Sequence, residues 1–349
     1  MKSGKRAVRL LAVLTAVFLL LPGCLPSGPE PAATGGSGLT VYFIDVGQAD
    51  SALLLCDGAA MLIDGGNPSD SDLLYTFLKN RGVSRLDYIV ATHAHADHVG
   101  GLAGALHYAA AGIALSPVTE NDSRAFENFI KALGEQGVPV TVPKPGDTFA
   151  LGGADVMALG PLSLSAEPNN TSIVLRITYG SVRFLFTGDA EREEERELLD
   201  AGYDLSADVL KVGHHGSDTS TTYPFLREIM PRYAVISCGK DNSYGHPHEN
   251  TLSRLRDADV TLYRTDMQGT IVCVTDGRTV SFTVERNADA ETNPTKPSAD
   301  EEEYIGNINS LKFHRPSCSG LPAEKNRVIF ATREAAVSAG YEPCGNCKP

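Results

Sequence analysis

The sequence lacks an excess of positive charge, since 30 Lys and Arg residues stand against 43 Asp and Glu residues. A net charge of −13 argues against a basic protein that coats nucleic acid over its whole surface. A nucleic-acid substrate is not excluded, because a bound metal can reverse the charge within one pocket. The sequence also lacks an internal repeat, and its 349 residues predict about two domains.

Long apolar runs are absent, apart from LLAVLTAVFLLL near the N-terminus, which follows four basic residues. This stretch is short for a membrane span and is typical of a secretory signal. The LPGC at its end resembles the lipobox of bacterial lipoproteins, in which Cys24 is lipidated, although plain cleavage and an uncleaved anchor are alternatives. We predict a signal peptide over residues 1–24 and an extracytoplasmic protein, either a membrane-anchored lipoprotein or otherwise secreted.

The rest of the chain divides by composition into four segments. Residues 25–38 have no apolar periodicity and predict a flexible tether. Residues 39–286 contain short β-branched apolar runs with helix candidates between them, which predicts an α/β domain with helices outside packed sheets. Residues 287–303 are acidic, lack an apolar run and predict a solvated linker to a compact tail, residues 304–349.

The sequence THAHADHVGG, residues 92–101, holds three of the nine histidines. Such density is rarely explained by packing, because each buried imidazole has two nitrogens that need partners. His93 and His95 alternate at the end of an apolar strand and can point toward one ion, while the following loop turns Asp97 and His98 toward a second. Imidazole and carboxylate ligands suit zinc, and also manganese or iron.

Polar residues at the ends of two later apolar strands suit the same site. Asp189 closes VRFLFTGD and can bridge two ions, and His214 and His215 close DVLKVGHHGS and can complete the second. Two metals a few ångströms apart can clamp a hydrolytic transition state and activate water at neutral pH. Three strand-end motifs of ligand type together predict a two-metal hydrolase.

Seven motifs occur in the order seen in the metallo-β-lactamase superfamily: FIDVGQADS, LIDGG, THAHADHVGG, NNTSIVLRI, FLFTGDA, LKVGHHGS and YGHPH. The chain is most similar to the ComEC-like, competence-protein branch, over about residues 39–286. The resemblance implies an αβ/βα sandwich with the metals at the edge of the sheets. It also implies hydrolytic chemistry, with phosphodiesters as the favoured substrates.

The resemblance implies seven metal-site residues: His93, His95, Asp97, His98, Asp189, His214 and His215. The first two would hold one metal, the next two the other, and Asp189 would bridge them. One of the pair His214 and His215 would complete the second site and the other would face substrate, a choice that the sequence leaves open. Lys211 is a cation of the type that meets a phosphate oxygen, or else a lysine whose stem covers apolar surface without that role.

The resemblance also implies residues behind or beside the metals. Asp64 in LIDGG suits acceptance of a ligand histidine's ring N–H. Asp45 and Gln48 align with the family's DVGQG turn, whose final glycine is Ala49 here, which restricts the backbone at that turn.

The superfamily's usual third histidine for the first metal is missing, and EPNNTS stands in its place. Asn169 or Asn170 would therefore line a weaker first site, and operation with a single metal stays open. His246 and His248 in YGHPH can reach the pocket mouth and bind substrate, or His248 can border the following helix.

The tail carries His314, Cys318, Cys344 and Cys347 with the spacing H-x3-C-x25-C-x2-C, which predicts one structural zinc. A disulfide from Cys318 is the alternative in an exported protein, but three cysteines and a histidine favour metal. The tail resembles the zinc-binding module of the Ada DNA-repair protein, as found appended to some secreted nucleases. Its six basic against three acidic side chains suit a nucleic-acid contact, and a purely structural zinc knob is the alternative.

Together these features predict an exported, monomeric phosphodiesterase or nuclease that uses metal-activated water, with two divalent metals, zinc or manganese, and with DNA as a candidate substrate. The tail is expected to act as a tethered module that holds nucleic acid. One alternative is hydrolysis of another substrate, a phosphorylcholine-type envelope ester or a β-lactam. Another is a non-catalytic surface protein that binds DNA or another polymer and whose metals are structural.

Overall fold

The computed structural model describes residues 37–294 and 303–349. The predicted signal peptide with Cys24, residues 25–36 of the predicted tether and residues 295–302 of the predicted linker lie outside the described residues. Among the residues that are described, no helix combines the length and the apolar character needed to cross a membrane.

The body of the molecule, residues 37–294, contains two β-sheets and the helices that cover them. Its strands are β1 (Leu39–Phe43), β2 (Ala52–Cys56), β3 (Ala59–Ile63), β4 (Arg85–Val90), β5 (Ala110–Leu115), β6 (Val140–Thr141), β7 (Thr148–Leu151), β8 (Ala154–Gly160), β9 (Val174–Tyr179), β10 (Val182–Phe186), β11 (Val209–Lys211), β12 (Tyr233–Ile236), β13 (Thr261–Arg264), β14 (Ile271–Thr275) and β15 (Val280–Val284). Its α-helices are α1 (Ser71–Asn80), α2 (Ala96–Val99), α3 (Leu102–Leu106), α4 (Arg124–Glu135), α5 (Arg192–Ala201), α6 (Tyr223–Ile229), α7 (Glu249–Asp257) and α8 (Thr265–Gln268).

Each sheet is mixed. The first has the order β15-β14-β1-β2-β3-β4-β5-β6, and β3 to β6 run parallel. The second has the order β13-β12-β11-β10-β9-β8-β7, and β10 to β13 run parallel. Strands buried on both faces are near-continuous apolar runs, as in ALLLC of β2 and VRFLF of β10.

The core lies in three layers. Phe43 and Phe186 stack across the space between the sheets, with ring centroids 5.8 Å apart. Leu74 of α1 and Phe129 of α4 cover the outer face of the first sheet, and Phe225 of α6 covers that of the second. The order helix, sheet, sheet, helix confirms the predicted αβ/βα sandwich.

The ends of three strands place the polar motifs at one edge of this sandwich. The histidine-rich loop follows β4, Asp189 follows β10 and the His214–His215 pair follows β11. Because β10 and β11 are adjacent and parallel, the residues after them share an edge. The two sheets meet there, since the Ile173 N–H donates to the Thr92 carbonyl at 2.8 Å.

The paired glycines of the histidine-rich loop permit a close backbone contact. A Cβ on Gly101 would lie 2.1 Å from the carbonyl oxygen of Gly65, and the Gly65 N–H donates to the His98 carbonyl at 2.6 Å. Only residues without side chains allow the two loops to approach this closely. The contact holds Asp64, the neighbour of Gly65, against the histidine loop.

The tail forms a small α+β module, as predicted. Its elements are β16 (Tyr304–Asn307), β17 (Lys312–His314), β18 (Arg327–Phe330), α9 (Arg333–Ser338) and β19 (Glu342–Pro343), and the sheet order is β18-β16-β17-β19. The side chain of Thr332 accepts a hydrogen bond from the Ala335 N–H and begins α9.

The structure differs at two places from the expected solvated linker, residues 287–303, and from the expected tethered tail module. Thr292 is buried and its hydroxyl donates to the Leu262 carbonyl at 2.6 Å, so residues 287–294 lie against the body. In the tail, the Arg333 guanidinium forms an ion pair with Asp257 and lies 3.3 Å from the Tyr223 hydroxyl. The described tail is therefore docked on α6 and α7.

Candidate metal centre

Buried imidazoles and carboxylates converge on Asp189. Its Oδ1 lies 3.3 Å from Nε2 of His98, and its Oδ2 lies 3.6 Å from Nε2 of His215 and 4.0 Å from Nε2 of His93. All four side chains are buried. Asp189 thus lies between the histidines that follow β4 and the histidine pair that follows β11, as a bridging ligand must.

The ligand atoms at this centre are not satisfied by the protein. Nε2 of His98, Nε2 of His215 and Oδ1 of Asp189 are buried and have no hydrogen-bond partner among the described residues. Buried polar atoms are normally paired. Although burial alone lowers the pKa of His215, Asp189 and Asp50 raise it to about 10, so this position favours positive charge. The donor set therefore fits divalent cations.

The first part of the centre contains His93 and His95, whose Nε2 and Nδ1 atoms lie 3.0 Å apart. Burial, with the neighbouring His98, holds the pKa of His93 well below its usual value. The neutral imidazole is the form that binds a metal.

The second part brings Asp97 and His98 together with His215 and not His214. The three ligand atoms lie within 4.8 Å of one another, and Nε2 of His215 is 3.3 Å from Oδ2 of Asp97. His214 is 23% exposed, and its Nδ1 lies 3.0 Å from Oε1 of Glu191. The geometry favours His215 as the ligand and places His214 toward the opening.

Both histidines of the pair adopt a strained backbone conformation. His214 and His215 both have left-handed φ angles, 50° and 52°. Such conformations cost roughly 1–3 kcal/mol for residues other than glycine and persist where the surroundings require them. Nε2 of His215 lies 3.6 Å and Nε2 of His214 lies 3.8 Å from Oδ2 of Asp189, but only the His215 side chain is buried.

Asp64 holds one of the candidate ligands from behind. Its carboxylate accepts hydrogen bonds from the Thr92 N–H at 2.8 Å and the Thr92 hydroxyl at 2.7 Å, and Oδ2 lies 2.8 Å from Nδ1 of His98. This contact leaves Nε2 of His98 free to face Asp189, which is the arrangement that the sequence suggested for Asp64.

Lys211 does not occupy the predicted substrate-facing position. It is buried, and its Nζ donates to Oδ2 of Asp50 at 2.7 Å and to the Val212 carbonyl at 3.0 Å. Oδ1 of Asp50 lies 3.2 Å from Nδ1 of His215. Burial acts to raise the pKa of Asp50, but Lys211 and His215 lower it to about 2. Asp50 was missed in the sequence, although it stands within FIDVGQADS.

Substitution of Lys211 by methionine is expected to lower the free energy of unfolding by about 3–5 kcal/mol at pH 7, because it leaves a buried carboxylate without its cation. The pKa of Asp50 is depressed in the fold, so the pair's contribution is complete above about pH 4 and disappears as the pH falls toward 2. Urea denaturation across this range measures both effects. Lys131→Met, at an exposed lysine, is the control and should change stability by less than about 0.5 kcal/mol. A cost below about 1 kcal/mol for Lys211→Met would contradict the role of the pair.

Gln48 and His246 lie at the mouth of the centre. Nε2 of Gln48 is 3.2 Å from Nδ1 of His246, and its Oε1 accepts the Gly239 N–H at 3.0 Å. The His246 ring lies 5.6 Å from that of His214 and 6.3 Å from that of His215, between centroids. Burial and the neighbouring imidazoles lower the pKa of His246 to about 4, so this ring is neutral near pH 7.

Asp45 and His248 are not brought to the centre. Asp45 forms an ion pair with Arg286 at 2.9 Å. The predicted role of Asp45 beside the metals is therefore wrong, and the residue instead stabilises the turn in which it lies. His248 immediately precedes α7, and its Nδ1 accepts the Asp218 N–H at 3.1 Å. The helix-border interpretation of His248 is therefore the one that the structure shows.

Asn169 and Asn170 both contact Glu191, a residue that the motifs in the sequence did not indicate. Oδ1 of Asn170 accepts the Glu191 N–H at 3.0 Å, and Nδ2 of Asn169 lies 3.4 Å from the Glu191 carboxylate. That carboxylate in turn holds His214. Oδ1 of Asn169 is buried without a hydrogen-bond partner among the described residues.

The tail contains a separate ligand cluster. The ligand atoms of His314, Cys318, Cys344 and Cys347 all lie within 4.8 Å of one another. The sulfurs of Cys318 and Cys344 are 4.0 Å apart and all described cysteines are free, so no disulfide is formed. Burial acts to raise the pKa of Cys344, but the backbone N–H groups of Cys347 and Asn346 outweigh it and lower that pKa. A closed set of one imidazole and three sulfurs fits structural zinc.

Comparison with known families agrees with both clusters. The sequence model of the metallo-beta-lactamase superfamily matches residues 44–240, more than half of the chain. The chain belongs to the metallo-beta-lactamase superfamily. The metal binding domain of Ada matches residues 290–349, which contain the tail cluster.

Curated relatives of the chain include ComE operon protein 3 of Bacillus subtilis and competence protein ComA of Neisseria gonorrhoeae. The first is 32% identical, and the match spans 77% of this chain and 36% of that protein. The second is 31% identical, and the match spans 75% of this chain and 38% of that protein. The chain thus corresponds to less than two-fifths of each relative. A solved structure, the metallo-beta-lactamase fold protein YhfI from Bacillus subtilis, aligns with 68% of this chain and 100% of the YhfI chain, with 13% identity and a TM-score of 0.48.

The chain therefore shares the metallo-beta-lactamase superfamily, and its relatives include a competence protein. The described residues bring six of the predicted ligand candidates into contact: His93, His95, Asp97, His98, Asp189 and His215. His98 also lies beside His93, since the ligand atoms of His93, His98 and Asp189 are all within 4.8 Å of one another.

Proposed function

We propose that the chain is an exported phosphodiesterase that acts on nucleic acid. The observation that carries the proposal is the convergence of three unpaired ligand atoms, on His98, Asp189 and His215, beside a partly exposed histidine. A purely structural zinc site is normally closed by four protein ligands with no group left facing solvent. His214 is such a group.

In the proposed centre, His93, His95 and Asp189 would hold one metal, and Asp97, His98, His215 and Asp189 the other. When bound, such ions supply a nucleophilic water at neutral pH and positive charge against a phosphate. Asp64 fixes the ring orientation of His98, and the Ser237 carbonyl, 3.1 Å from Nδ1, fixes that of His215. Asp50 lies 3.2 Å from the same nitrogen of His215.

His214 is placed to handle a proton. Oε1 of Glu191, at 3.0 Å from Nδ1, favours a proton on that nitrogen, and Nε2 then faces the centre at 3.8 Å from Asp189. We infer that His214, when it carries a proton on Nε2 as well, transfers that proton to the departing oxygen of the diester and is left as the neutral ring with its Nδ1 proton toward Glu191.

Two further points support nucleic acid over a β-lactam or an envelope ester. One relative of this chain is named a competence protein, and the tail is basic against an acidic background. Export and a lipid anchor at Cys24 are proposed from the N-terminal sequence alone, and a monomeric state is proposed with them.

A substrate panel tests the proposal. The full chain loaded with zinc or manganese is expected to hydrolyse bis-p-nitrophenyl phosphate, to shorten a labelled oligonucleotide and to leave nitrocefin intact. Turnover of nitrocefin, or of p-nitrophenylphosphorylcholine alone, would replace phosphodiester chemistry on nucleic acid with the corresponding alternative. Tight oligonucleotide binding without turnover under either metal would favour the non-catalytic alternative.

A further inference from the structure

A cleft of about 580 Å³ separates the catalytic body from the docked tail. Its body wall includes Arg192 and Arg196 of α5, and its tail wall includes Lys312 and Arg333. Arg254 also lines the cleft, whereas Asp218 and Glu342 are the acids among its lining residues. On the tail wall, Lys312 lies 3.3 Å from Glu342 and Arg333 pairs with Asp257. With five cations against two acids in its lining, this cleft, which we call the junction groove, is nevertheless basic in a chain of net charge −13.

Helix α5 is acidic in sequence but presents a basic face to the junction groove. Arg192 and Arg196 are four residues apart, share one side of the helix and are exposed. Glu194 and Glu195 are buried, and they accept backbone N–H groups of Ser172 and of Thr221 and Thr222, respectively. Arg196 forms no ion pair or hydrogen bond within the described part of the chain. Its charge is available to a ligand.

Hydrogen bonds connect the lining of the junction groove to the residues around His214. The Arg192 guanidinium donates to the carbonyl of Asp218 at 2.9 Å, and each of these residues adjoins one that holds His214. Thr219 donates to Glu191 at 2.8 Å, and its hydroxyl lies 3.3 Å from Nδ1 of His214. The groove lining is thus joined to the surroundings of His214 through the neighbouring pairs Glu191–Arg192 and Asp218–Thr219.

The lining suits a particular kind of polyanion. Leu199, Tyr223 and Pro343 add apolar surface among the cations. Channels for single-stranded nucleic acid combine basic side chains that follow the phosphates with apolar or aromatic surface for the bases. A simple polyphosphate would make no use of the apolar part.

We propose that the junction groove binds an extended single strand of nucleic acid, with body and tail both contacting its phosphates. The groove would deliver a phosphodiester to the His214 side of the centre. The inference rests on the proposed function for what happens to the strand, whereas binding itself requires no turnover.

Fluorescence anisotropy with the full chain and a labelled oligothymidylate of about 20 nucleotides tests this. Arg196→Gln and Lys312→Gln, one on each wall, are each expected to weaken binding about fivefold at low salt. Each should also reduce the slope of log K against log salt by about 0.7, and the double variant by about 1.4. Arg227→Gln and Arg278→Gln combined remove two exposed charges outside the groove and should leave affinity within about twofold.

The outcomes separate the groove from its alternatives. Weakening by Lys312→Gln but not by Arg196→Gln would mean that the tail binds alone, which overturns the groove. Equal weakening by the control pair, or equal competition by polyphosphate and oligonucleotide, would overturn it as well. A strand that binds as expected but is never cut would refute the proposed function and leave the groove standing. Cleavage that is insensitive to both groove variants would refute the groove and leave the proposed function standing.

Discussion

Replacement of Asp189 by alanine is expected to lower kcat/KM for a phosphodiester by about a thousandfold or more, which corresponds to about 4 kcal/mol of transition-state stabilisation. Asp189 is the carboxylate that approaches His98 at 3.3 Å, His215 at 3.6 Å and His93 at 4.0 Å. Its removal leaves three buried imidazoles without their shared negative charge and without a bridging ligand. The decrease in kcat/KM should therefore be as large as that caused by loss of the catalytic metals.

Steady-state kinetics and metal analysis of the same preparations measure the effect. Asp155→Asn is the matched control, because Asp155 is exposed on β8 and its substitution removes the same charge far from the strand-end motifs in sequence. The control should keep both turnover and metal content. An Asp189→Ala protein that retained more than about a tenth of wild-type activity would show that the centre does not use this carboxylate as inferred.

Much of the centre was predictable because its residues follow apolar strands. A motif such as THAHADH after a strand identifies both the ligand types and the sheet edge on which they lie. The role of Asp64 was implied by the resemblance of LIDGG to the superfamily motif, and ligand histidines need an acceptor for the second ring nitrogen. These inferences depend on local sequence and on the rule that parallel strands end at one edge.

The supporting contacts were not predictable, because they join residues far apart in the chain. Lys211 was expected to meet substrate, yet its partner Asp50 lies 161 positions away. The choice between His214 and His215 depends on left-handed backbone angles that no spacing reveals. Glu191 acquires its meaning only when α5 is placed beside the turn that carries His214.

The position of the tail illustrates the same limit. Composition predicted a solvated connection, and acidic residues do dominate it. Docking nevertheless depends on single tertiary contacts, such as those of Thr292 with Leu262 and of Arg333 with Asp257. Neither contact leaves a periodic signal in the sequence. The zinc ligands of the same module were predictable because their spacing is itself the signal.

Replacement of both Cys344 and Cys347 by serine is expected to remove one zinc per chain and to unfold the tail. The module buries few large side chains, Phe313 foremost, and has no disulfide among the described residues. Structural zinc contributes about 10–16 kcal/mol in zinc-finger peptides, more than a core of this size supplies. Metal analysis, with limited proteolysis of residues 303–349, measures the loss, and Asn346→Ser in the same loop should change neither readout.

The same variant separates the two metal regions. Oligonucleotide affinity should fall at least as far as in the Arg196→Gln and Lys312→Gln double variant, because one wall of the junction groove is lost. Turnover of a small diester should change by less than about twofold, since every candidate ligand of the metal centre lies between residues 93 and 215 of the body. Retention of zinc and protease resistance would refute the four-ligand site. A loss of small-diester turnover would instead mean that the docked tail supports the turn carrying His214.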